Sequence, residues 1–270
     1  MKVAVLLCGQ PREAMHVAPI IKNFIIDPNK ADVFMHLWYD DKDLYMDKGD
    51  KNRGTENAEL GIDKQLIEYY KPKSYLVESD NLKTFKNFNN YYQLPEKYLE
   101  NYMKMKGNIN MTKEQAKNHV IKVLVSQVYS VFKCNNLKEE YAYTNNIQYD
   151  CVIKLRYDTF PKVELICSKF NTMNALYYEN IGQPDNIISD WFNMGSNEIM
   201  NIYSSTFLNL KYLNNTSNNG FYKKNERKVV SVWDNSECCW SFEFLLRDLM
   251  TKYNIPTIPI RAGFQLMPKS

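Results

Sequence analysis

Short, continuously apolar runs alternate with longer segments of helical period, and this alternation constrains the fold more than any other feature of the chain. Val3 to Cys8, Val33 to Trp38 and Cys151 to Leu155 each carry at most one strongly polar side chain. Runs of that length, apolar on both faces, fit strands covered by two layers. Between the first two, Met15, Ala18, Ile21 and Ile25 recur at helical spacing over Arg12 to Ile26, with a bend expected at Pro19. Asp63 reads as the cap of a short helix to Tyr70, and Lys73 to Glu78 reads as a third strand after Pro72. Thr112 followed by Gln115 is a capping-box signature that opens the longest helical pattern, to about Tyr143. A strand over 150–156 follows, then a short one over Ala175 to Tyr178. Asp190 to Ser196 reads as a strand or turn that delivers Ser196 to the N-cap of a helix over Glu198 to Leu210. Ser236 is expected to cap a last helix to about Tyr253, and Ile255 to Arg261 reads as a Pro-broken edge strand. This order predicts an α/β fold whose mostly parallel central sheet has helices on both faces. No internal repeat or linker divides residues 1–270. Residues 39–61 read as a long exposed loop, 214–228 as a polar loop, and 80–110, rich in Asn, Lys and Tyr, as irregular structure or short helices.

Composition narrows the function classes. With 270 residues and 44% hydrophobic content the chain can bury a sizeable core. The net charge of +3 is spread along the sequence with no concentrated Lys/Arg block, so no nucleic-acid partner is expected. No segment approaches the roughly 20 apolar residues of a membrane span, which leaves peripheral contact as the expected limit of membrane association. The N-terminal apolar run stops at Gln10-Pro11-Arg12 and reads as a first strand rather than a leader. Six cysteines show no CxxC pair and no Cys/His cluster at zinc spacing. Cys8 and Cys151 fall in strand runs, where a thiol acts as a small hydrophobe, so a reducing, cytoplasmic setting is expected. On that expectation the sequons at Asn110, Asn214 and Asn215 are accidental. Aromatic content of 14% suits a surface that binds sugars or other rings, but the Lys/Asn/Tyr excess fits the composition of an AT-rich genome better.

Chemistry concentrates at the carboxyl ends of the predicted strands, where open α/β sheets bind ligands. The run Tyr149 to Pro161 ends in Arg156-Tyr157-Asp158. Arg156 and Asp158 are two apart and share a side of the strand with Lys154. Such a set fits a metal–diphosphate site and an ion pair closing a sheet edge equally well. The first turn, Cys8-Gly9-Gln10-Pro11-Arg12, has one glycine and is neither a P-loop nor a GxGxxG turn. Gly9 permits close backbone approach and Arg12 opens a helix where anions are favoured; the alternative is a tight turn with a solvated arginine. Gln127 lies on the face of the long helix expected to pack on the strand over 150–156. Asp190-Trp191-Phe192 reads either as a sugar platform with a carboxylate or as core. His36 precedes Asp40 and Asp41, which either border the cleft or are solvated. His16 and His119 read as structural, and Glu243 is a more sheltered candidate than Glu237. Hydrolase chemistry finds no local Ser/His/Asp or Cys/His signature.

Taken in order, Val5 to Arg12, Asp32 to Trp38, Ser126 to Ser130, Tyr149 to Asp158 and Asp190 to Ser196 resemble GT-A-type glycosyltransferase-like proteins of bacterial or viral capsule, lipopolysaccharide and virion glycan synthesis. The resemblance covers about residues 2–261, with gaps at 40–60 and 80–110, and rests on the order and spacing of the motifs. It implies a single GT-A-like, Rossmann-like domain, with a nucleotide-sugar-binding half over about 1–160 and an acceptor half over about 161–270. It implies a nucleotide-sugar donor near Gly9, Gln10, Arg12 and Gln127, and a glycan or other hydroxyl acceptor. Asp158 then stands where the metal-binding aspartate of the DxD motif would hold Mn²⁺ or Mg²⁺, but Arg156 replaces the first acidic position. Arg156 would then neutralise the leaving diphosphate, and Asp190 would act as the base. The competing expectations are a carbohydrate-binding or degenerate transferase module and a sugar nucleotidyltransferase.

Overall fold

The structure is a computed structural model that describes residues 1–12, 14–41, 59–79, 103, 110–180, 188–210 and 242–266. The readings for most of 39–61 and of 80–110, for 214–228, and for Ser236, Glu237 and the side chains of His119 and Glu243 lie outside the described residues.

Among the described residues seven strands form one sheet: β1 (Val3–Gly9), β2 (Asp32–Trp38), β3 (Ser74–Glu78), β4 (Cys151–Leu155), β6 (Leu176–Glu179), β7 (Phe192–Gly195) and β8 (Thr257–Ile260). Their order is β3-β2-β1-β4-β7-β6-β8, and β5 (Thr159–Phe160) pairs with β9 (Gln265–Leu266) in a separate ribbon. β1 runs parallel to β2 and β4, and β2 to β3. β7 alone in this sheet runs the other way, antiparallel to both β4 and β6, while β8 returns parallel to β6. The architecture is therefore α/β with a mostly parallel, mixed sheet, consistent with a Rossmann-like fold.

Alternation along the buried strands explains the two layers. Val5, Leu7, Met35, Leu37, Ile153 and Leu155 face one core with Val17, Ala18 and Ile21 of α1 (Ala14–Ile21) and Leu66 of α3 (Ile62–Tyr70). Ala4, Leu6, Phe34 and Val152 face the other with Val125 and Val128 of α4 (Lys113–Thr144), Met200 of α5 (Asn197–Ser204) and Leu246 of α6 (Phe242–Lys252). Burial on both faces makes β1 continuously apolar and leaves β2 only Asp32 and His36 as strongly polar residues. Among the described residues no helix is long and apolar enough to cross a membrane.

Several boundaries differ from the sequence reading. α1 begins at Ala14 rather than Arg12, because Arg12 sits at φ +29°, outside the helical region. It does not continue uniformly to Ile26. Past Pro19, which offers no N–H to the ladder, the helix widens into a π-turn over Lys22–Ile26 and closes with α2 (Asp27–Asn29). The N-cap of α3 is Gly61, not Asp63; Asp63 lies in the first turn, where its charge meets the amino end of the helix. At α4 the capping box is complete: Thr112 Oγ1 accepts from the Gln115 N–H at 3.2 Å and Gln115 Oε1 from the Thr112 N–H at 2.8 Å. Ser196 caps α5 by accepting the Ile199 N–H at 3.3 Å; α5 ends at Ser204, and after a turn at Ser205 residues 206–210 are helical again. Gly195 marks the close approach before it, since an added Cβ would lie 3.0 Å from Ile199 Cγ2 and 3.1 Å from the Ala175 carbonyl.

Candidate functional site

Strand order places a topological switch between β1 and β4: the chain leaves β1 toward β2 and β3, then crosses back to β4 on the other side. Leu7 pairs with Leu155, so both strands end at one level. The β1–α1 turn and Arg156-Tyr157-Asp158 consequently emerge side by side. Tyr157 locks this junction from the opposite face. It is buried, and its hydroxyl donates to the Leu7 carbonyl at 3.0 Å, with the His36 carbonyl at 3.4 Å.

Four segments distant in sequence meet there. Arg156 grips Asp158 as a fork, Nε to Oδ1 at 2.9 Å and Nη2 to Oδ2 at 2.7 Å. Arg12 Nη1 reaches the same Oδ2 at 2.8 Å. The third arm of Arg156, Nη1, contacts Asp190 Oδ2 at 3.4 Å, and Gln127 Nε2 of α4 donates to that oxygen at 3.2 Å. Lys154 Nζ donates to the Asp190 backbone carbonyl. Gly9 ends β1 at φ +115°, and Gln10 follows it, partly buried, in the same turn. An added Cβ at Gly9 would meet nothing within 4 Å, so the backbone angle alone calls for glycine there. All the singled-out site residues, Gly9, Gln10, Arg12, Gln127, Arg156, Asp158 and Asp190, thus fall at or beside one sheet edge.

Electrostatics inside this set is decided by charge pairing against burial. Burial alone would raise the Asp158 pKa, but the Arg156 and Arg12 charges and hydrogen bonds hold it well below the usual carboxylate range. Burial would lower the Arg156 pKa, and Asp158 with Asp190 holds it above the ordinary arginine value. Burial lowers the Lys154 pKa, with the Asp190 charge opposing. Arg12, Arg156 and the buried Lys154 thus gather around Asp158 and Asp190.

The chain matches no protein-family model. No curated protein matches it either.

The donor set around Asp158 bears on the metal expected there. Its two carboxylate oxygens accept three guanidinium N–H groups. Among the described residues no group of three or more His, Cys, Asp or Glu side chains is placed to hold a metal ion. These residues do not fit Mn²⁺ or Mg²⁺, and they do fit a carboxylate that holds two arginines together.

The other candidates divide. Phe192 is core, stacked on Phe264 with ring centroids 4.4 Å apart, and not a sugar platform. Trp191 beside it is only partly buried. His16 is exposed on α1. His36 is fully buried rather than half-buried. It contacts Ser130 Oγ through Nδ1 at 2.8 Å and Glu78 Oε2 through Nε2 at 2.9 Å, while the Tyr129 hydroxyl donates to Glu78 Oε1 at 3.2 Å. Asp40 is partly buried and Asp41 exposed just beyond β2. The Glu78–His36–Ser130 network escaped the sequence reading, although Glu78 closes β3 and pairs with Trp38 at the end of β2, the same sheet level. Tyr157 was missed too, because its role depends on the register of β1 and β4.

Proposed function

We propose that this chain is a glycosyltransferase that moves a sugar from a nucleoside-diphosphate sugar to the hydroxyl of a glycan or other acceptor. The observation that carries the reading is the meeting of Arg12, Arg156, Asp158, Asp190 and Gln127 at the switch between β1 and β4. A resemblance in the order of motifs to GT-A-type transferases points the same way. In this reading the diphosphate lies over the β1–α1 turn, where Gly9 lets it approach the backbone. The bond between the anomeric carbon and the diphosphate oxygen breaks, and the oxygen leaves with the electron pair. A bond from the acceptor oxygen to the anomeric carbon forms, and the acceptor proton passes to the Asp190 carboxylate. Arg156 meets the negative charge that develops on the leaving oxygen, a form of preorganised stabilisation that is commonly the largest catalytic contribution. Gln127 orients Asp190. The proposed setting is cytoplasmic, with peripheral membrane contact where the acceptor is membrane-bound.

One observation favours a second reading. Asp190 Oδ2 is already shared by Arg156 and Gln127, which suits a carbohydrate-binding or degenerate transferase module that holds glycan without transferring sugar. Incubating the protein with UDP-, GDP- and CDP-sugars and measuring nucleotide release, with and without a glycan acceptor, separates the two. Release from at least one donor supports the transferase; calorimetric binding of free glycan with no release from any donor overturns it.

A further inference from the structure

We propose that the donor's diphosphate is received by a pair of guanidiniums, Arg12 and Arg156, aligned on Asp158, and that donor binding requires no divalent cation. The inference rests on the transferase reading above and assigns Asp158 a positioning role in place of metal ligation. Its basis is geometric. Arg156 presents a parallel two-bond fork to Asp158 at 2.9 and 2.7 Å, the arrangement by which guanidinium and carboxylate fix each other's orientation. Arg12 comes from the far end of the β1–α1 turn, 146 residues away in sequence, and closes on the same carboxylate at 2.8 Å. A carboxylate that accepts three N–H groups has little room left for a cation. The side chains also differ in access. Arg156 is 15% exposed and held by two carboxylates, whereas Arg12 is 36% exposed and, among the described residues, bonds only Asp158. An arginine has five N–H donors, and the described residues occupy one of those of Arg12. It also holds a φ of +29°, an uncommon conformation for a residue with a Cβ, just before the first turn of α1. The turn that strains Arg12 is the turn that aims it at Asp158. Two guanidiniums side by side on a shared carboxylate match adjacent phosphoryl groups, and a lysine could not reproduce the planar fork.

Titration calorimetry of the full chain with UDP, GDP and CDP, run in EDTA and again in millimolar Mn²⁺, tests this. One nucleoside diphosphate is expected to bind with affinities that agree within about threefold between the two buffers. Inorganic pyrophosphate should compete with it and the parent nucleoside should not. Arg12→Ala should weaken binding about tenfold or more in both buffers, and Arg12→Lys should recover only part of it. Thermal melts of both variants check that they are folded, which the exposure of Arg12 favours. Tightening by more than about threefold on adding Mn²⁺, or unaltered binding by Arg12→Ala, overturns the inference while the transferase reading stands. Failure of all three nucleotides to bind in either buffer overturns both.

Discussion

Arg156 divides its guanidinium between Asp158 and Asp190, so removing it should separate catalysis from packing only if both are measured. Arg156→Ala is expected to lower kcat on the active donor by about 10²–10³, the usual loss for one preorganised electrostatic donor. The same change removes the ion pair of the buried Asp190 and leaves Asp158 with Arg12 alone, at a cost of about 3–5 kcal/mol in urea unfolding. A fall in kcat smaller than about threefold would show that the residue only closes the sheet edge. His36 carries a second residue-level expectation. Burial lowers its pKa from 6.5, with Glu78 opposing and Lys133 assisting, so the folded state holds it neutral while the unfolded chain takes up a proton. The stability this contributes is complete above pH 6.5 and is lost as pH falls through that value toward the lower folded pKa. Glu78 acts in a lower window: its hydrogen bond from His36 leads the lowering of its pKa from 4.5, so its contribution fades as pH drops below about 4.5. Unfolding free energies at pH 7.5, 6 and 5 should therefore decline, and His36→Gln should flatten the upper part of that slope. An unchanged slope in the variant would refute the assignment.

Elements were legible where their signals are local. The α4 capping box involves residues three apart, and the Ser196 cap sits directly ahead of α5, so each could be read from the chain. β1, β2 and β4 were legible because burial on two faces removes polar residues from the run. The break-up of the helix after Pro19 and the choice of Gly61 over Asp63 were not, since both depend on how the backbone enters and leaves the packed layer. β7 packs tightly against its neighbours at Gly195. Gly195→Ala would press a methyl group into Ile199 and the Ala175 carbonyl, where neighbours must give by a few tenths of an ångström. A loss of about 1–3 kcal/mol is expected in chemical denaturation. No loss would mean that α5 can shift away from β7 freely.

Seen across the molecule, a ligand at the switch between β1 and β4 would join segments far apart in sequence and should stabilise the whole sheet. At a hundredfold excess over Kd, a nucleoside diphosphate adds about 2.7 kcal/mol to unfolding. That corresponds to a rise in Tm of roughly 5–10 °C for a chain of this size. Hydrogen exchange should slow at the β1–α1 turn and the end of β4, and an unmoved Tm across UDP, GDP and CDP would count against a nucleotide site. Runs of apolar residues, helical spacing and caps were enough to set the α/β class and to point to Arg156, Asp158 and Asp190, because burial and hydrogen-bond satisfaction act on neighbouring residues. Three matters waited for the folded chain: the antiparallel direction of β7, the Glu78–His36 network, and whether Asp158 faces an ion or two arginines. Each turns on which strand lies beside which and at what register. Arg12 reaches Asp158 because Leu7 pairs with Leu155, and that pairing is set by the joint burial of both strands, which no local pattern encodes.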